Sequence, residues 1–223
     1  MRPGPRFLYL HGFASGPESS KGLAFSRWLG DRGLLVERLN LRLPSLEHLR
    51  LSAGIAATRA ALGTERDRAV LLGSSLGGLT AARVAERDPR ICALVLLAPA
   101  FQAAQRWRAR LAGEPLERWR TSGWLEVDDH AARQKARVDY GFLADLEAAD
   151  PTDTWPDVRV PTLIVHGRQD AVVDIEGSRA FASGRRHVRL VEVDDGHELL
   201  ATLPATMAEV ERFLAPFLIG PIP

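Results

Sequence analysis

The sequence predicts an α/β fold: a shortened, mostly parallel sheet of about six strands with helices on both faces, in a single domain over residues 1–223. Three observations support this prediction. Short apolar runs alternate with helical segments, a serine stands between glycines where a strand meets a helix, and an acid and a histidine follow two later strands. The apolar runs are 7–10, 34–39, 69–73, 91–97, 160–166 and 188–193, and the helical segments are about 18–31, 46–62, 76–87, 175–183 and 204–217.

The first strand, 7–10, leads into a glycine-bearing loop over residues 11–16. Such a loop can turn a backbone N–H toward a reacting carbonyl, because glycine permits backbone conformations that other residues avoid. We predict that the Phe13 amide is one of two donors to an oxyanion. His11 stands before a glycine at the strand end, and we expect it to orient this loop by hydrogen bonding.

The third strand, 69–73, runs directly into Gly73-Ser74-Ser75-Leu76-Gly77, where a helix begins. A serine on such a turn with glycines two positions to either side has the pattern of a nucleophile elbow, which strains its central residue and lifts the hydroxyl above the sheet. This predicts Ser75 as the nucleophile. Ser74 is excluded, because Leu72 stands where the turn would need a small residue. The Leu76 amide, at the positive end of the helix, is the second predicted oxyanion donor.

A serine hydroxyl needs a histidine to accept its proton and a carboxylate to orient that histidine. Asp170 lies in the loop after the strand 160–166, and His197 lies in the loop after the strand 188–193. The interval between them has room for one helix and one strand. Ser75, Asp170 and His197 therefore form the predicted catalytic triad.

Other acids near these strand ends are weaker candidates. Asp174 is the alternative acid of the triad, while the strand 91–97 has no carboxylate directly after it. Asp194 and Asp195 lie too close to the histidine in sequence to hold its ring from behind, so we interpret them as turn formers. His166, before a glycine at a strand end, is expected to orient its loop by hydrogen bonding.

These four segments, in this order, resemble the α/β-hydrolase superfamily of serine hydrolases. Residues 8–17, Leu-Tyr-Leu-His-Gly-Phe-Ala-Ser-Gly-Pro, are similar to the opening of small bacterial esterases of the YqiA type. The elbow and the middle segment resemble the mammalian mitochondrial acyl-glucuronide esterase and palmitoyl-protein thioesterase group. The resemblance implies hydrolysis of an ester or thioester.

Residues 101–155 break the alternation of strands and helices, and the superfamily resemblance implies a helical cap there. This insertion holds four of the five tryptophans of the chain. Aromatic rings in a cap can wall an acyl pocket, but they can equally pack the underside of the cap onto the core. The candidate substrate contacts are Trp107, Trp119, Trp124 and Tyr140.

Composition excludes several other classes of function. A net charge of +1 gives no electrostatic basis for binding nucleic acid, and the single cysteine, Cys92, excludes an internal disulfide and a cysteine-based metal cage. The first residues hold too few apolar side chains for a signal peptide, and no run approaches membrane-spanning length. We therefore expect a cytoplasmic enzyme without a membrane span. A homodimer is compatible with the sequence.

The predicted function is hydrolysis of carboxylic esters with modest, largely apolar acyl groups, through an acyl-enzyme and without a cofactor or metal. An acyl-protein or acyl-CoA thioesterase is the first alternative. An aminopeptidase is a second, if the acidic residues Glu126, Asp128 and Asp129 bind a substrate amine rather than cap helices in solvent. A non-catalytic binding protein of the same fold is a third, against which the complete triad argues.

Overall fold

A six-stranded sheet forms the centre of a computed structural model that describes residues 4–151 and 154–218. In chain order the elements are β1 Arg6–Leu10, α1 Ser20–Gly30, β2 Val36–Leu39, α2 Leu51–Ala61, β3 Ala69–Ser74, α3 Leu76–Ala85, β4 Ile91–Leu97, α4 Ala103–Arg110, α5 Glu114–Ser122, β5 Trp124–Asp129, β6 Gln134–Asp139, α6 Gly141–Ala149, β7 Thr162–Gly167, α7 Glu176–Ala182, β8 Val188–Val193 and α8 Leu203–Leu214. The strands of the sheet are ordered β2-β1-β3-β4-β7-β8, and all neighbours are parallel. The predicted sheet is confirmed.

Helices cover both faces of the sheet, and this explains why its central strands are apolar throughout. Every residue of β3 and of β7 is buried. One face packs against α2, α3 and α6, through side chains such as Leu79 and Phe142. The other face packs against α1 and α8, through Phe25 and Leu214. Because parallel strands end at the same edge, the loops that follow β1, β3, β7 and β8 meet there.

Several elements begin later than the sequence predicts, among them α2 and β2. The helix predicted over 46–62 starts at Leu51, because the preceding residues close a loop in which the Arg50 amide donates to the Leu43 carbonyl at 2.9 Å. β2 starts at Val36, after a turn at Gly33 with a φ of +70°. Within the described ranges, no helix combines the length and the apolar character needed to cross a membrane.

The insertion between β4 and β7 contains three helices, α4, α5 and α6, and also the antiparallel hairpin of β5 and β6. A purely helical cap was expected, so the hairpin is a correction. Its signal is present in the sequence as an alternation, because Leu125 and Val127 are partly buried whereas Glu126 and Asp128 are exposed. The single domain expected over 1–223 extends at both ends, and the cap at 152–153, into residues outside the described ranges.

Ion pairs hold the hairpin against the loop that follows β2, and a backbone hydrogen bond joins it to the loop that follows β1. Arg42 donates to buried Asp129 at 2.8 Å, and Arg50 donates to Asp139 at 2.7 and 2.8 Å. The hydrogen bonds from Arg42 lower the pKa of Asp129 to about 2, so this carboxylate remains charged at neutral pH. At the hairpin turn, the Ala131 amide donates to the Ala14 carbonyl at 3.3 Å. The cap is therefore attached directly to the predicted oxyanion loop.

Candidate active site

The turn between β3 and α3 holds Ser75 in a strained backbone conformation. Its φ is 53° and its ψ is −118°, a combination that residues other than glycine rarely adopt. The flanking glycines are required by close contacts. A Cβ on Gly73 would lie 2.5 Å from the Gly77 carbonyl oxygen, and a Cβ on Gly77 would overlap the carbonyl oxygen of Leu10. Neither β1 nor α3 could approach the turn so closely with a larger residue at these positions.

Hydrogen bonds to the backbone of Ser75 stabilise this conformation. Its amide donates to the Leu97 carbonyl at the end of β4 at 2.9 Å, and its carbonyl accepts from the Ala100 amide at 3.0 Å and the Gly78 amide at 2.9 Å. The strain at Ser75 is therefore offset by bonds to two neighbouring segments. These bonds fix the position of the serine at the edge of the sheet.

His11 orients the predicted oxyanion loop, as the sequence analysis expected. The Leu41 amide donates to His11 Nε2 at 2.9 Å, so the proton resides on Nδ1, which donates to the Gly12 carbonyl at 2.8 Å. Burial lowers the pKa of His11, which favours this neutral ring. Because a trans peptide directs its C=O and N–H to opposite sides, the bond to Gly12 also fixes the direction of the Phe13 N–H.

The Phe13 and Leu76 amides belong to two segments that lie next to the serine. A Cβ on Gly12, the residue before Phe13, would lie 3.8 Å from Ser75 Oγ, and Leu76 is the first residue of α3 after Ser75. Among the hydrogen bonds between described residues, neither amide donates to an acceptor. Both N–H groups are thus available to a ligand that bears negative charge next to Ser75.

Asp170 has a fully buried side chain that accepts four hydrogen bonds. Oδ1 accepts from the Val172 and Val173 amides, each at 2.8 Å. Oδ2 lies 2.7 Å from His197 Nδ1 and 3.1 Å from His166 Nε2. Burial opposes ionisation, but these donors outweigh it and hold the pKa of Asp170 well below its usual range. Asp170 is therefore a preorganised carboxylate.

His166 is a second-layer donor to that carboxylate, a role that the sequence analysis did not assign to it. Its ring is fully buried, with Nδ1 2.7 Å from Ser178 Oγ and Nε2 2.9 Å from the Val173 carbonyl. Since a carbonyl only accepts, Nε2 carries the proton and can also donate to Asp170. The signal was its i, i+4 spacing to Asp170 across the strand end.

The His197 side chain is partly exposed, whereas the side chains of Asp170 and His166 are fully buried. Its Nδ1 bonds to Asp170, so its Nε2 is the nitrogen left for another partner. Asp170 and His197 meet because the loops that carry them, after β7 and after β8, lie close together. A Cβ on Gly167 would overlap the Asp195 carbonyl oxygen, and the Gln169 amide donates to that same carbonyl at 3.0 Å. The structure thus brings Asp170 and His197 together, whereas Ser75 Oγ forms no hydrogen bond with His197 within the described residues.

The alternative acids have other partners. Asp174 accepts from the Glu176 amide at 3.0 Å and caps the start of α7. Asp195 accepts from the Gly196 amide at 2.7 Å and the Thr202 amide at 2.8 Å, which agrees with its interpretation as a turn former. Exposed Asp194 pairs with a surface arginine. None of these three carboxylates is hydrogen-bonded to His197 among the described residues.

The cap aromatics differ in their surroundings. Trp119 is fully buried and donates through Nε1 to the Val138 carbonyl at 3.1 Å, so its ring packs the cap and offers no open face to a ligand. Tyr140 lies against its edge, with ring centroids 5.5 Å apart. Trp124 lies under Arg137 at 4.1 Å on the hairpin surface. Partly exposed Trp107 touches the ring of Phe13 at 5.2 Å, which makes it the candidate nearest to the oxyanion loop.

A small, mostly apolar cavity opens beside Gly12 and Leu76. It lies between the oxyanion loop, α2, α3 and the loop after β2. Its apolar walls include Leu41, Leu49 and Leu51. This cavity was not predicted, because its walls come from segments far apart in the sequence.

The acidic residues of the hairpin do not form an open site for a cation. Asp129 pairs with Arg42, and Asp128 and Glu126 lie 2.7 and 3.7 Å from the Lys135 ammonium. Each of these acids therefore already has a basic side chain of the same chain as its neighbour. In the described part of the chain, no group of three or more His, Cys, Asp or Glu side chains is arranged to hold a metal ion.

Comparison with solved structures finds the same architecture in α/β-hydrolases. Mouse α/β-hydrolase domain-containing protein 10 has a TM-score of 0.79 at 18% identity, covering 95% of this chain and 90% of its own. Est1E from Butyrivibrio proteoclasticus with bound ferulic acid has a TM-score of 0.79 at 22% identity, covering 98% and 91%. The esterase domain of a Rhodothermus marinus protein has a TM-score of 0.68 at 24% identity, covering 98% and 90%. At these identities the likeness shows the fold.

Comparison with curated proteins finds no match. A family model, described as Uncharacterised protein family (UPF0227), matches residues 6–214, which is nearly the whole chain. The chain belongs to the family UPF0227 and has the α/β-hydrolase fold.

Proposed function

We propose that this protein is a serine esterase that acts on esters of modest, largely apolar acyl groups. One observation carries the proposal: a strained serine, two amides without acceptors in the described ranges, and a buried aspartate bonded to a histidine lie at one edge of the sheet. These are the parts that acyl transfer to water requires. That two structural neighbours are esterases agrees with this reaction class.

In the proposed reaction, Ser75 Oγ forms a bond to the ester carbonyl carbon while its proton passes to His197 Nε2. The carbonyl oxygen becomes an oxyanion and accepts hydrogen bonds from the Phe13 and Leu76 amides. When the C–O bond to the leaving group breaks, the oxygen of the leaving group takes the proton from His197, and the leaving group departs as an alcohol. Water then attacks the acyl-enzyme by the same route, releasing the acid and restoring Ser75.

The electrostatics of the site suit this sequence of proton transfers. The depressed pKa of Asp170 keeps its carboxylate ionised across the neutral range, so it can stabilise the imidazolium when His197 holds the proton. The bond to Asp170 also keeps the proton of neutral His197 on Nδ1 and leaves Nε2 as the base. A thioester presents the same carbonyl to the same groups, and acyl-protein and acyl-CoA thioesters belong among the substrates to be tested.

The cavity beside Gly12 and Leu76 is the proposed acyl site. It is lined by Leu76, one proposed oxyanion donor, and by Gly12, the residue before the other, and its leucine walls favour an apolar chain. Its small size favours short chains over long ones. Trp107, whose ring contacts that of Phe13, is the remaining candidate for contact with the substrate.

Replacing the nucleophile should remove ester hydrolysis and leave the fold intact. Ser75→Ala is expected to lower kcat by roughly 10⁴ to 10⁶-fold, because the members of a triad act as one unit. Ser74→Ala is the matched control, and it should retain most of the activity. Both are measured with p-nitrophenyl esters, with circular dichroism as the check on folding. A larger loss in Ser74→Ala than in Ser75→Ala would contradict the assignment.

Replacing the acid should test which carboxylate orients His197. Asp170→Asn is expected to lower kcat by about 10⁴-fold, because the amide favours the wrong imidazole tautomer. Asp174→Asn should have a mild effect, since Asp174 only caps α7. Steady-state kinetics on the two purified variants provide the comparison. If Asp174→Asn were the inactive variant, the acid would have been assigned wrongly.

Enlarging the cavity should change the preferred acyl length. In the wild type, kcat/KM is expected to fall from acetyl to octanoyl esters, and Leu51→Ala should shift the maximum to longer chains, because each methylene buried in an apolar pocket contributes about 0.8 kcal/mol. Trp107→Ala is the competing variant, and fully buried Trp119→Ala should affect stability alone. A profile that responds to Trp107→Ala but not to Leu51→Ala would move the acyl site to the cap.

A further inference from the structure

Lys21 is a buried cation at the N-terminal end of a helix, where a positive charge is unfavourable. It is one of two lysines in the chain, its exposure is 5%, and it lies in the first turn of α1. Burial of an ammonium group is costly, and the positive end of a helix dipole opposes a cation. The contacts of the Lys21 ammonium must therefore offset this cost in free energy.

The ammonium contacts the residue that follows His197. Lys21 Nζ donates to the Glu198 carbonyl at 2.9 Å and lies 3.2 Å from Glu198 Oε2. The carboxylate of Glu198 is largely exposed, at 71%, whereas Lys21 is covered. The bond to the backbone carbonyl is thus the more restrictive contact, because it acts on the main chain of the histidine loop.

That loop is strained at the next residue. Leu199 is fully buried and has a φ of +54°, a conformation that costs free energy for a leucine. The Lys21 bond holds the peptide group between Glu198 and Leu199 in this orientation. Without it, the loop could relax toward an unstrained conformation, and His197 would move with it.

A buried tyrosine on β1 connects the start of α1 to the centre of the sheet. Ser19, which caps α1, donates to Tyr9 Oη at 3.1 Å, and burial raises the pKa of Tyr9 to about 12, with the nearby Glu198 carboxylate acting in the same direction. Tyr9 is therefore a neutral phenol at neutral pH. It lies on β1, whose last residue leads into the oxyanion loop. Lys21, which bonds to the histidine loop, and Ser19, which bonds to Tyr9 on the strand before the proposed oxyanion loop, thus both lie at the start of α1.

We propose that Lys21 is a positioning residue for His197: through the Glu198 carbonyl it holds the loop so that the imidazole keeps its bond to Asp170 and presents Nε2 to Ser75. This inference rests on the proposed function, in which His197 is the base. It predicts an effect on the chemical step, because displacement of a base by about 1 Å can cost roughly 10²-fold in rate.

The test is the kinetics of Lys21→Met, which keeps the length of the side chain and removes the ammonium. We expect kcat to fall by roughly 10 to 10²-fold with KM changed less than about twofold. The downfield proton resonance of the Asp170–His197 hydrogen bond should broaden or disappear. Lys21→Arg keeps the charge but has a wider head, and we expect an intermediate kcat. It also provides the comparison if Lys21→Met does not fold.

Two controls separate positioning from stability. Glu198→Gln retains the backbone carbonyl and should keep kcat within about threefold, since the bond to the main chain survives. Leu29→Ala, at the far end of α1 and fully buried, should lower the melting temperature while kcat of the folded enzyme is unchanged. Wild-type kcat in folded Lys21→Met and Lys21→Arg would overturn the proposal.

His197→Ala separates this inference from the proposed function. If His197→Ala is as active as the wild type, the proposed triad is wrong. If His197→Ala is inactive but folded Lys21→Met keeps both the wild-type kcat and the downfield resonance, the triad stands and the positioning role of Lys21 is wrong.

Discussion

The structure depends on one close approach, between the backbone of the elbow, β1 and α3. Strained Ser75 is stable only because Gly73 and Gly77 let these elements approach to contact distance and because the Ser75 amide bonds to the end of β4. The same approach brings Gly12 against Ser75 Cβ, and with it the loop after β1 that we propose as the oxyanion loop. The steric demand of a single turn thus determines the arrangement of three neighbouring strand ends.

The titratable groups of the site include two that are buried, and their hydrogen-bond partners determine whether each is charged. Asp170 is buried but ionised, since four donors replace the water it has lost. His11 is buried and neutral, because both of its nitrogens have partners that suit an uncharged ring. Ion pairs of the same kind, from Arg42 and Arg50, attach the cap to the loop between β2 and α2. A buried carboxylate and a rigid loop are what a base of fixed direction requires.

Sequence reasoning succeeded where the signal is local. The apolar runs predicted the sheet, and the steric needs of the pentad around Ser75 predicted the elbow. It failed where the structure depends on contacts between distant segments: Lys21 and Glu198 are 177 residues apart, and the walls of the cavity beside Gly12 and Leu76 come from four segments. The hairpin of the cap was missed for another reason. Its alternation is short and weak, and the superfamily resemblance favoured helices.

The central claim is that Ser75 is an activated nucleophile, and covalent labelling tests it most directly. A fluorophosphonate probe reacts with a serine only when a neighbouring base has activated the hydroxyl. The purified protein is labelled, digested and mapped by tandem mass spectrometry. We expect one adduct, on Ser75, that is lost in His197→Ala. An adduct on Ser74, or equal labelling of Ser75 without His197, would contradict it.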